Sequence, residues 1–320
     1  MPSLRWEDVE RAREIVGRYL KPSRLVEARS LSRATGAQVF LKLESEQPTG
    51  SFKPRGALTA LTRNLERGPV AGVVTSSTGN HGAATAYAAR LLGVPATVFL
   101  PANPNPVKRA RIADLGAHIV EAGDLDLAEA FDRAAAFARE HGLYFMEDGR
   151  DPDMPPGTAT IACEVLEQLP DADALFVPMG DTTLIRGVAF AAKHLKPGIQ
   201  ILGVQAERAP AYTLSWRAGK AIATATCDTI ADGLATRRPL EENVHEIRER
   251  VDDVRLVSEA EMLAAIRRLH GDEQVVAEPA GAATTAALLQ DAAAFAGKNL
   301  VLLVTGSNVA PDVLQAAIRA

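Results

Sequence analysis

From residue 70 to residue 206, short apolar segments rich in β-branched residues alternate with longer segments that carry apolar residues at helical spacing. The apolar segments are uninterrupted, which is typical of parallel strands covered on both faces. We predict strands at 70–76, 95–101, 118–122, 143–147, 174–179, 199–206 and, near the C-terminus, 299–306. Helices are predicted between them at 83–93, 104–116, 126–142, 158–169 and 184–195. This alternation predicts an α/β fold with open, mainly parallel sheets.

One interruption of the alternation, GRDPDMPPG at 149–157, is rich in proline and glycine. Such a composition indicates a turn or connection, and we interpret the stretch as a link between two lobes. The chain length of 320 residues accommodates one large domain or two closely packed ones. The 47% of hydrophobic residues is ordinary for a globular protein with a substantial core.

Charge and cysteine content exclude several classes of function. The formal net charge is −5, and no block of lysine and arginine is present, so we expect no nucleic-acid partner. The N-terminal stretch MPSLRWEDVERAREIV has acidic residues where a secretion signal needs an apolar core, and no apolar run approaches membrane-spanning length. We therefore expect a cytoplasmic protein with no membrane partner. Cys163 and Cys227 lack a metal-type spacing and are expected to be reduced, small buried side chains.

Three predicted strand-to-helix turns have an unusual polar composition, and ligands of open α/β sheets bind at such turns. TSSTGNHG at 75–82 and MGDTTLIRG at 179–187 each precede a helix N-terminus, whose free N–H groups attract carboxylates and phosphates. The alternative for both turns is ordinary helix capping. An inward-pointing Asp181 would repel an anion. In LLVTGSN at 302–308, Thr305 ends a predicted strand, where it either faces a ligand or belongs to a turn.

A lysine with unusual neighbours lies in PTGSFKPRGA at 48–57, where Lys53 follows Phe52 and is flanked by proline and glycines. A solvated surface lysine needs no such surroundings, so this pattern indicates a chemical role. The familiar nucleotide, zinc and hydrolase motifs G-x-x-x-x-G-K-[ST], G-x-G-x-x-G, H-E-x-x-H and G-x-S-x-G do not occur. We expect no resident metal.

Taken together, these segments resemble the fold-type II pyridoxal-phosphate enzymes, and within them the threonine/serine dehydratase and serine racemase group. The resemblance extends from about residue 20 to the C-terminus and is carried by TGSFKPRGA (49–57), STGNHG (77–82), PMGDTTLIRG (178–187), TIADGLATRRP (229–239), EPAGA (278–282) and VTGSN (304–308). It implies two open, twisted, mainly parallel sheets covered by helices. A large domain would comprise 1–46 and 150–320, and a small domain 47–149, with the active site between them.

The same resemblance implies pyridoxal 5'-phosphate as the cofactor and Lys53 as the catalytic lysine that forms the Schiff base. A water-poor pocket favours the neutral amine that this bond requires. The implied cofactor-binding residues are Phe52, Lys53, Asn80, Gly180, Asp181, Thr182, Thr183, Leu184 and Thr305. The implied substrate-binding residues are Ser77, Thr78, Gly79 and His81.

Three positions depart from the pattern of the group. The phosphate loop contains GDTT where the group commonly has a run of glycines. Thr78 stands where the racemases carry a serine, and Gln205 and Ala211 stand where metal-dependent members carry carboxylates. Because neutral and apolar side chains do not supply the anionic oxygens that Mg²⁺ and Ca²⁺ prefer, we expect activity without a divalent metal.

The resemblance therefore implies a lyase that dehydrates and deaminates L-threonine, L-serine or a related β-hydroxy amino acid to a 2-oxo acid and ammonia. The alternatives are a synthase or β-replacement enzyme similar to threonine synthase, an amino-acid racemase, and a protein that binds the cofactor without turnover. The expected partners are the amino-acid substrate and a second copy of the chain in a homodimer.

Overall fold

The computed structural model describes residues 4–77, 79–102, 104–121 and 127–319. Its helices are α1 Trp6–Tyr19, α2 Arg29–Thr35, α3 Pro54–Arg67, α4 Asn80–Leu92, α5 Pro106–Asp114, α6 Leu127–Glu140, α7 Met154–Gln168, α8 Thr183–Leu195, α9 Ala211–Ala218, α10 Glu241–Arg250, α11 Glu259–Asp272, α12 Pro279–Gln290 and α13 Pro311–Arg319. Its strands are β1 Leu25–Glu27, β2 Gln38–Leu43, β3 Val73–Ser76, β4 Ala96–Leu100, β5 His118–Glu121, β6 Tyr144–Phe145, β7 Ala174–Pro178, β8 Gln200–Ala206, β9 Asp253–Val257 and β10 Asn299–Val304.

The larger sheet has the strand order β1-β2-β10-β7-β8-β9 and is parallel except for β1, which runs antiparallel to β2. Both faces of its central strand β10 are buried. Leu300, Leu302 and Val304 pack towards α11 and α12. Val301 and Leu303 pack towards α7 and α8. This period of two, with apolar residues on both faces, explains why the strand appears in the sequence as a continuous apolar run.

The smaller sheet has the order β5-β4-β3-β6, and its strands are all parallel. Neighbouring residues of β3 again face opposite ways. Val73 belongs to a core with helices α1, α3 and α4. Val74 packs with Phe99 and with Ala134 of α6. Among the described residues, no helix has both the length and the apolar composition that a membrane span requires.

The predicted α/β class is confirmed, and each predicted strand and helix has a counterpart in the structure. Part of the prediction for 149–157 is wrong, because α7 begins at Met154 rather than at residue 158. Pro155 and Pro156 lie in its first turn, where a missing N–H removes no intrahelical hydrogen bond. The stretch still connects β6 of the smaller sheet to the helix that precedes β7 of the larger one.

A buried ionic cluster fixes the start of α3. The Arg55 guanidinium is fully buried and donates to both oxygens of Glu44, each at 2.8 Å. It also donates to both oxygens of Glu164 on α7, at 2.6 and 2.9 Å. Lys42 of β2 bonds the same Glu164 at 2.7 Å. Although burial opposes ionisation of Arg55, these two carboxylates outweigh it and raise the arginine pKa.

We expect Arg55→Met to lower the free energy of unfolding by about 3–5 kcal/mol, because it leaves Glu44 buried without its cation and Glu164 with Lys42 alone. Urea or guanidinium denaturation measures the change. The matched control is Arg24→Met, which breaks the exposed pair between Arg24 and Glu46 and should cost at most about 1 kcal/mol. An Arg55→Met variant that is no less stable than this control would contradict the stabilising role of the buried ionic cluster.

Candidate active site

A cavity of about 810 Å³ opens between the carboxyl ends of the two sheets. Residues following β3, β6, β7 and β10 line it, as do residues of the segment 232–240. Ligands of open α/β sheets bind at this end of the strands. The sequence-predicted site residues that the structure brings to the cavity wall are Phe52, Lys53, Ser77, Asn80, His81, Gly180, Asp181, Thr182, Thr183, Leu184 and Thr305.

Lys53 is held against the end of β10 by backbone contacts. The Phe52 N–H donates to the carbonyl of Thr305 at 3.1 Å, and Ser51 forms an antiparallel bridge with Gly306. Lys53 itself is the residue before the first turn of α3. Its amine lies 5.1 Å from the centre of the Phe52 ring. The lysine therefore enters the cavity from a backbone segment that is attached just beyond the end of β10 in the larger sheet.

The partner of Lys53 is Asp148, which sequence reasoning did not identify. Its carboxylate forms an ion pair with the Lys53 amine, and its side chain is largely buried. Burial alone would raise the pKa of Asp148, but the charge of Lys53 and its hydrogen bond outweigh burial and lower that pKa to about 2. The available signal was the position of Asp148, directly after a predicted strand of the smaller sheet.

The loop before α4 supplies a second side of the cavity. The Asn80 amide donates to Glu278 Oε1 at 2.6 Å, and its oxygen accepts from the Asn308 amide at 2.8 Å. The Gly79 N–H donates to Ser77 Oγ at 3.0 Å. Thr78 lies outside the described residues. The roles predicted for these side chains towards cofactor and substrate stay predictions.

His81, in the first turn of α4, is buried and neutral. Its Nε2 lies 3.0 Å from the carbonyl oxygen of Met146. Burial lowers the pKa of His81, the charge of Lys53 acts in the same direction, and together they outweigh the Asp148 carboxylate, which raises that pKa. Its other nitrogen, Nδ1, is buried and has no hydrogen-bond partner within the part of the chain that the structure describes. The ring is therefore held as a neutral group beside the Lys53–Asp148 pair.

The predicted phosphate loop is a tight turn into α8. Thr182 has φ +72°, a left-handed conformation that is uncommon for threonine. Gly180 passes so close to the backbone of Gly233 that a Cβ would overlap the Gly233 carbonyl oxygen. The loop therefore lies against the 232–240 segment, and the free N–H groups of the first turn of α8 are at the cavity.

Asp181 in this loop turns towards the 232–240 segment. Its Oδ1 accepts a hydrogen bond from Thr236 Oγ1 at 2.7 Å. Asp181 is exposed to the cavity, which is itself enclosed by protein. This burial, together with the charge of Asp148, raises the pKa of Asp181 to about 6. Arg186 is not its partner, because that guanidinium bonds Glu246 at 2.9 and 3.0 Å.

Lys108, Asp232 and Glu278 form a further ionic cluster at the cavity wall. The amine of Lys108 bonds the two Asp232 oxygens at 2.7 and 2.6 Å and lies 3.3 Å from Glu278 Oε2. Burial would lower the pKa of Lys108, but the two carboxylates outweigh it and raise that pKa. The cluster ties α5 of the smaller sheet to α12. Asp232 and Glu278 lie in motifs that carried the family resemblance, whereas Lys108 had no sequence signal beyond its place in a predicted helix.

These residues fit pyridoxal 5'-phosphate. An amine on a fixed backbone segment faces the cavity, as a covalent link to the cofactor requires. The first turn of α8, preceded by a glycine that leaves no room for a side chain, provides backbone donors for a phosphate. Thr305 lines the cavity with a neutral hydroxyl at the end of β10. Fold and site together define a fold-type II pyridoxal-phosphate enzyme.

Comparison with known proteins gives the same class. A family model described as "Pyridoxal-phosphate dependent enzyme" matches residues 16–306. An L-threonine ammonia-lyase from Thermotoga maritima is 33% identical over 98% of this chain and 78% of its own length. An L-threo-3-hydroxyaspartate ammonia-lyase from a Pseudomonas species is 36% identical over 95% of both chains. The solved structure of maize serine racemase has a TM-score of 0.90 at 30% identity, and the match covers 98% of this chain and 96% of the racemase. The chain belongs to the pyridoxal-phosphate-dependent enzyme family.

We expect Asp181→Asn to raise cofactor affinity about threefold to tenfold at pH 8, because it removes a negative charge near the phosphate. Asparagine keeps an oxygen for the Thr236 hydrogen bond. Since the pKa of Asp181 is raised to about 6, its charge is present above that pH and is lost below it, so the variant and the unmodified protein should converge as the pH falls below 6. Titration of the apoprotein, followed by cofactor absorbance, measures the difference.

The control is Asp114→Asn, which removes the same charge from an exposed position of α5. A variant at position 181 that binds the cofactor more weakly than this control would mean that the carboxylate supports the loop.

Proposed function

We propose that the protein is a pyridoxal-phosphate-dependent ammonia-lyase that converts L-threonine, L-serine or a related β-hydroxy amino acid to a 2-oxo acid and ammonia. The observation that carries the proposal is the Lys53 amine, which lies in the cavity between the two sheets and is paired with Asp148. The similarity to an L-threonine ammonia-lyase over 98% of the chain supports the reaction type. A β-elimination needs one base that removes the α-proton and space into which the β-substituent can leave.

Each part of the cavity has a task in this reaction. Pyridoxal phosphate, when bound, withdraws electrons from the α-carbon of the substrate. Lys53 holds the cofactor covalently and, once its amine is released, takes the α-proton at Nζ. Asp148 stabilises the ammonium form of Lys53 that results. The residues before and at the start of α4, Ser77, Thr78, Gly79, Asn80 and His81, receive the substrate carboxylate and the cofactor ring.

The other cofactor contacts that we propose come from residues that line the cavity. Backbone N–H groups at Gly180, Asp181, Thr182, Thr183 and Leu184 would hold the phosphate. Phe52 packs near the lysine, and the hydroxyl of Thr305 would hold the cofactor nitrogen. A neutral hydroxyl leaves that nitrogen largely unprotonated, and a weaker electron sink suits elimination better than transamination.

Racemisation is the second candidate, and the similarity to maize serine racemase favours it. A racemase needs a second acid–base group on the face opposite Lys53, and this chain has Thr78 at the position where racemases carry a serine. The hydroxyl of threonine is more crowded than that of serine, because threonine carries an additional methyl group on Cβ. Thr78 is therefore less suited to that acid–base role, and elimination remains our first choice.

We also propose a division of the chain into two domains. Residues 1–46 and 150–320 form the large domain, and residues 47–149 form the small one. The strands of the smaller sheet all lie within 73–145, which supports this division. We also propose a homodimer that acts in the cytoplasm.

The test is to load the protein with pyridoxal phosphate and measure 2-oxo acid release from L-threonine and L-serine. We expect turnover of at least one of them. We also expect Lys53→Ala to abolish turnover and to show no cofactor mass after borohydride reduction, because no other residue makes the covalent link. The exposed Lys21→Ala is the control and should retain both properties. Racemisation without 2-oxo acid release, or borohydride trapping in Lys53→Ala, would contradict the proposal.

We expect a chelator such as EDTA to leave 2-oxo acid release unchanged. The Gln205 oxygen is already used, since it accepts from the N–H and the hydroxyl of Thr213, both at 2.9 Å. Among the described residues there is no group of three or more His, Cys, Asp and Glu side chains placed to hold a metal. Activity that EDTA removes and Mg²⁺ restores would overturn this expectation.

A further inference from the structure

His81 is a buried titratable side chain at the wall of the cavity. The residue is 5% exposed and lines the cavity together with Lys53 and Asp148. We propose that Nδ1 of His81 carries a proton from the α-ammonium group of the substrate to its departing β-hydroxyl. This inference rests on the proposed ammonia-lyase function and adds a catalytic residue to it.

The first step is the tautomer of the ring. Nε2 lies 3.0 Å from the carbonyl oxygen of Met146, which can only accept a hydrogen bond, so Nε2 carries the hydrogen. In a neutral imidazole the other nitrogen, Nδ1, then has a lone pair and no hydrogen. Nδ1 is buried and has no hydrogen-bond partner within the described part of the chain. The ring therefore offers the cavity a proton acceptor that the protein does not use.

The second step is the choice of substrate group. A lone pair does not bind a carboxylate, because an ionised carboxylate is itself only an acceptor. The carboxylate can instead bind the backbone N–H of His81, since α4 begins at Asn80 and the N–H groups of a first helical turn have no partner within the helix. The donors that remain on a β-hydroxy amino acid are its α-ammonium and its β-hydroxyl. Their nitrogen and oxygen are on adjacent carbons, about 3 Å apart, so one ring nitrogen can serve both in turn.

The position of the ring supports this route. Met146, to which the ring is hydrogen-bonded, lies two residues before Asp148, and Asp148 contacts the Lys53 amine. The charges of Asp148 and Lys53 both act on His81. The α-nitrogen of the substrate must come to this amine to displace it, so the reaction takes place beside the segment that holds the ring.

The acidity of the ring suits a group that accepts a proton and then releases it. Burial has the largest influence on the pKa of His81 and lowers it, whereas the Asp148 carboxylate raises it. The resting ring is therefore neutral and can accept. Once protonated, a buried imidazolium gives up its proton more readily than a solvated one, and the carboxylate stabilises it in the meantime.

The proton transfers balance without a further reactant. Nδ1 takes one proton from the α-ammonium, which leaves the neutral amine that can displace Lys53, and the ring becomes a cation. Lys53 then takes the α-proton, and the electrons of that C–H bond form the Cα–Cβ double bond. The Cβ–O bond breaks with its electron pair remaining on oxygen, which receives the proton from Nδ1 and leaves as water. The ring is neutral again.

Two other titratable side chains of the cavity are less suited to this role. Burial would raise the pKa of Asp148, but the charge of Lys53 outweighs it and lowers that pKa to about 2, so this carboxylate holds a proton poorly. Asp181 lies in the predicted phosphate loop and accepts a hydrogen bond from Thr236 at 2.7 Å. The free nitrogen of His81 has neither restriction.

The experiment compares the holoenzyme with its His81→Gln variant, using L-serine and β-chloro-L-alanine. Elimination from either yields pyruvate, but chloride leaves without a proton. The glutamine amide keeps an N–H donor for Met146 and does not titrate. We expect the ratio of kcat for serine to kcat for chloroalanine to fall about hundredfold or more, as loss of general acid catalysis produces. His270→Gln, at an exposed position of α11, is the control and should leave the ratio unchanged.

A measurement on the apoprotein tests the tautomer without turnover. Nitrogen-15 NMR distinguishes protonated from unprotonated ring nitrogens. The spectrum of His81→Gln identifies the His81 signals among those of the six histidines. We expect a hydrogen on Nε2 and none on Nδ1 at neutral pH, and a hydrogen on Nδ1 would overturn the inference.

The outcomes separate this inference from the proposed function. An unchanged ratio in His81→Gln overturns the inference and leaves the ammonia-lyase function in place, because Lys53 or solvent would then supply the proton. Turnover of neither serine nor threonine contradicts the proposed function, and the inference falls with it. If His81→Gln does not fold, heavy water decides the matter in the unmodified enzyme. It should slow serine more than chloroalanine, since only the hydroxyl takes up an exchangeable proton, and equal slowing counts against the inference.

Discussion

The attachment of the lysine-bearing segment to the end of β10 determines how the site is built. Gly50 and Phe52 form backbone hydrogen bonds with the residues that follow β10, with Phe52 donating to Thr305 and Ser307 donating to Gly50 at 2.9 Å. Lys53 thereby has its backbone on the larger sheet, while α3, which starts one residue later, packs against α1 and α4 beside the smaller sheet. One short segment therefore places the Lys53 amine in the cavity between the two sheets.

Buried ionic groups hold this arrangement in place from both sides. The Arg55 cluster joins α3 to β2 and α7, and the Lys108 cluster joins α5 to α12. Charged side chains are expensive to bury unless every charge is paired, so such clusters tolerate few alternative arrangements of the helices that carry them. Asp148 differs from both clusters, because its ion-pair partner among the described residues is Lys53, the amine that we propose links the cofactor. Under that proposal Asp148 loses and regains its partner during turnover, whereas the other two clusters keep theirs.

Much of the fold followed from local pattern. The strands from β3 to β8 are continuous apolar runs, and the helices between them have apolar residues at helical spacing, so each signal lies within its own segment. The start of α7 was misplaced because Pro155 and Pro156 indicate a break when their position in a first helical turn is unknown. Asp148 was missed for a different reason. Its partner Lys53 is 95 residues away, and only the packing of the two sheets brings their side chains together.

The predicted phosphate loop contains Asp181 where the group commonly has glycine, and residues distant in the sequence accommodate this aspartate. An aspartate beside an anion site is unfavourable in isolation. In the fold Arg186 is committed to Glu246, and Asp181 instead accepts a hydrogen bond from Thr236, a residue of the segment that also lies against Gly180. The 232–240 segment thus packs against the backbone of Gly180 and donates a hydrogen bond to the carboxylate of the next residue, Asp181. The pKa of Asp181 is raised as a consequence, since burial and the charge of Asp148 outweigh the hydrogen bond from Thr236 and the charge of Lys53.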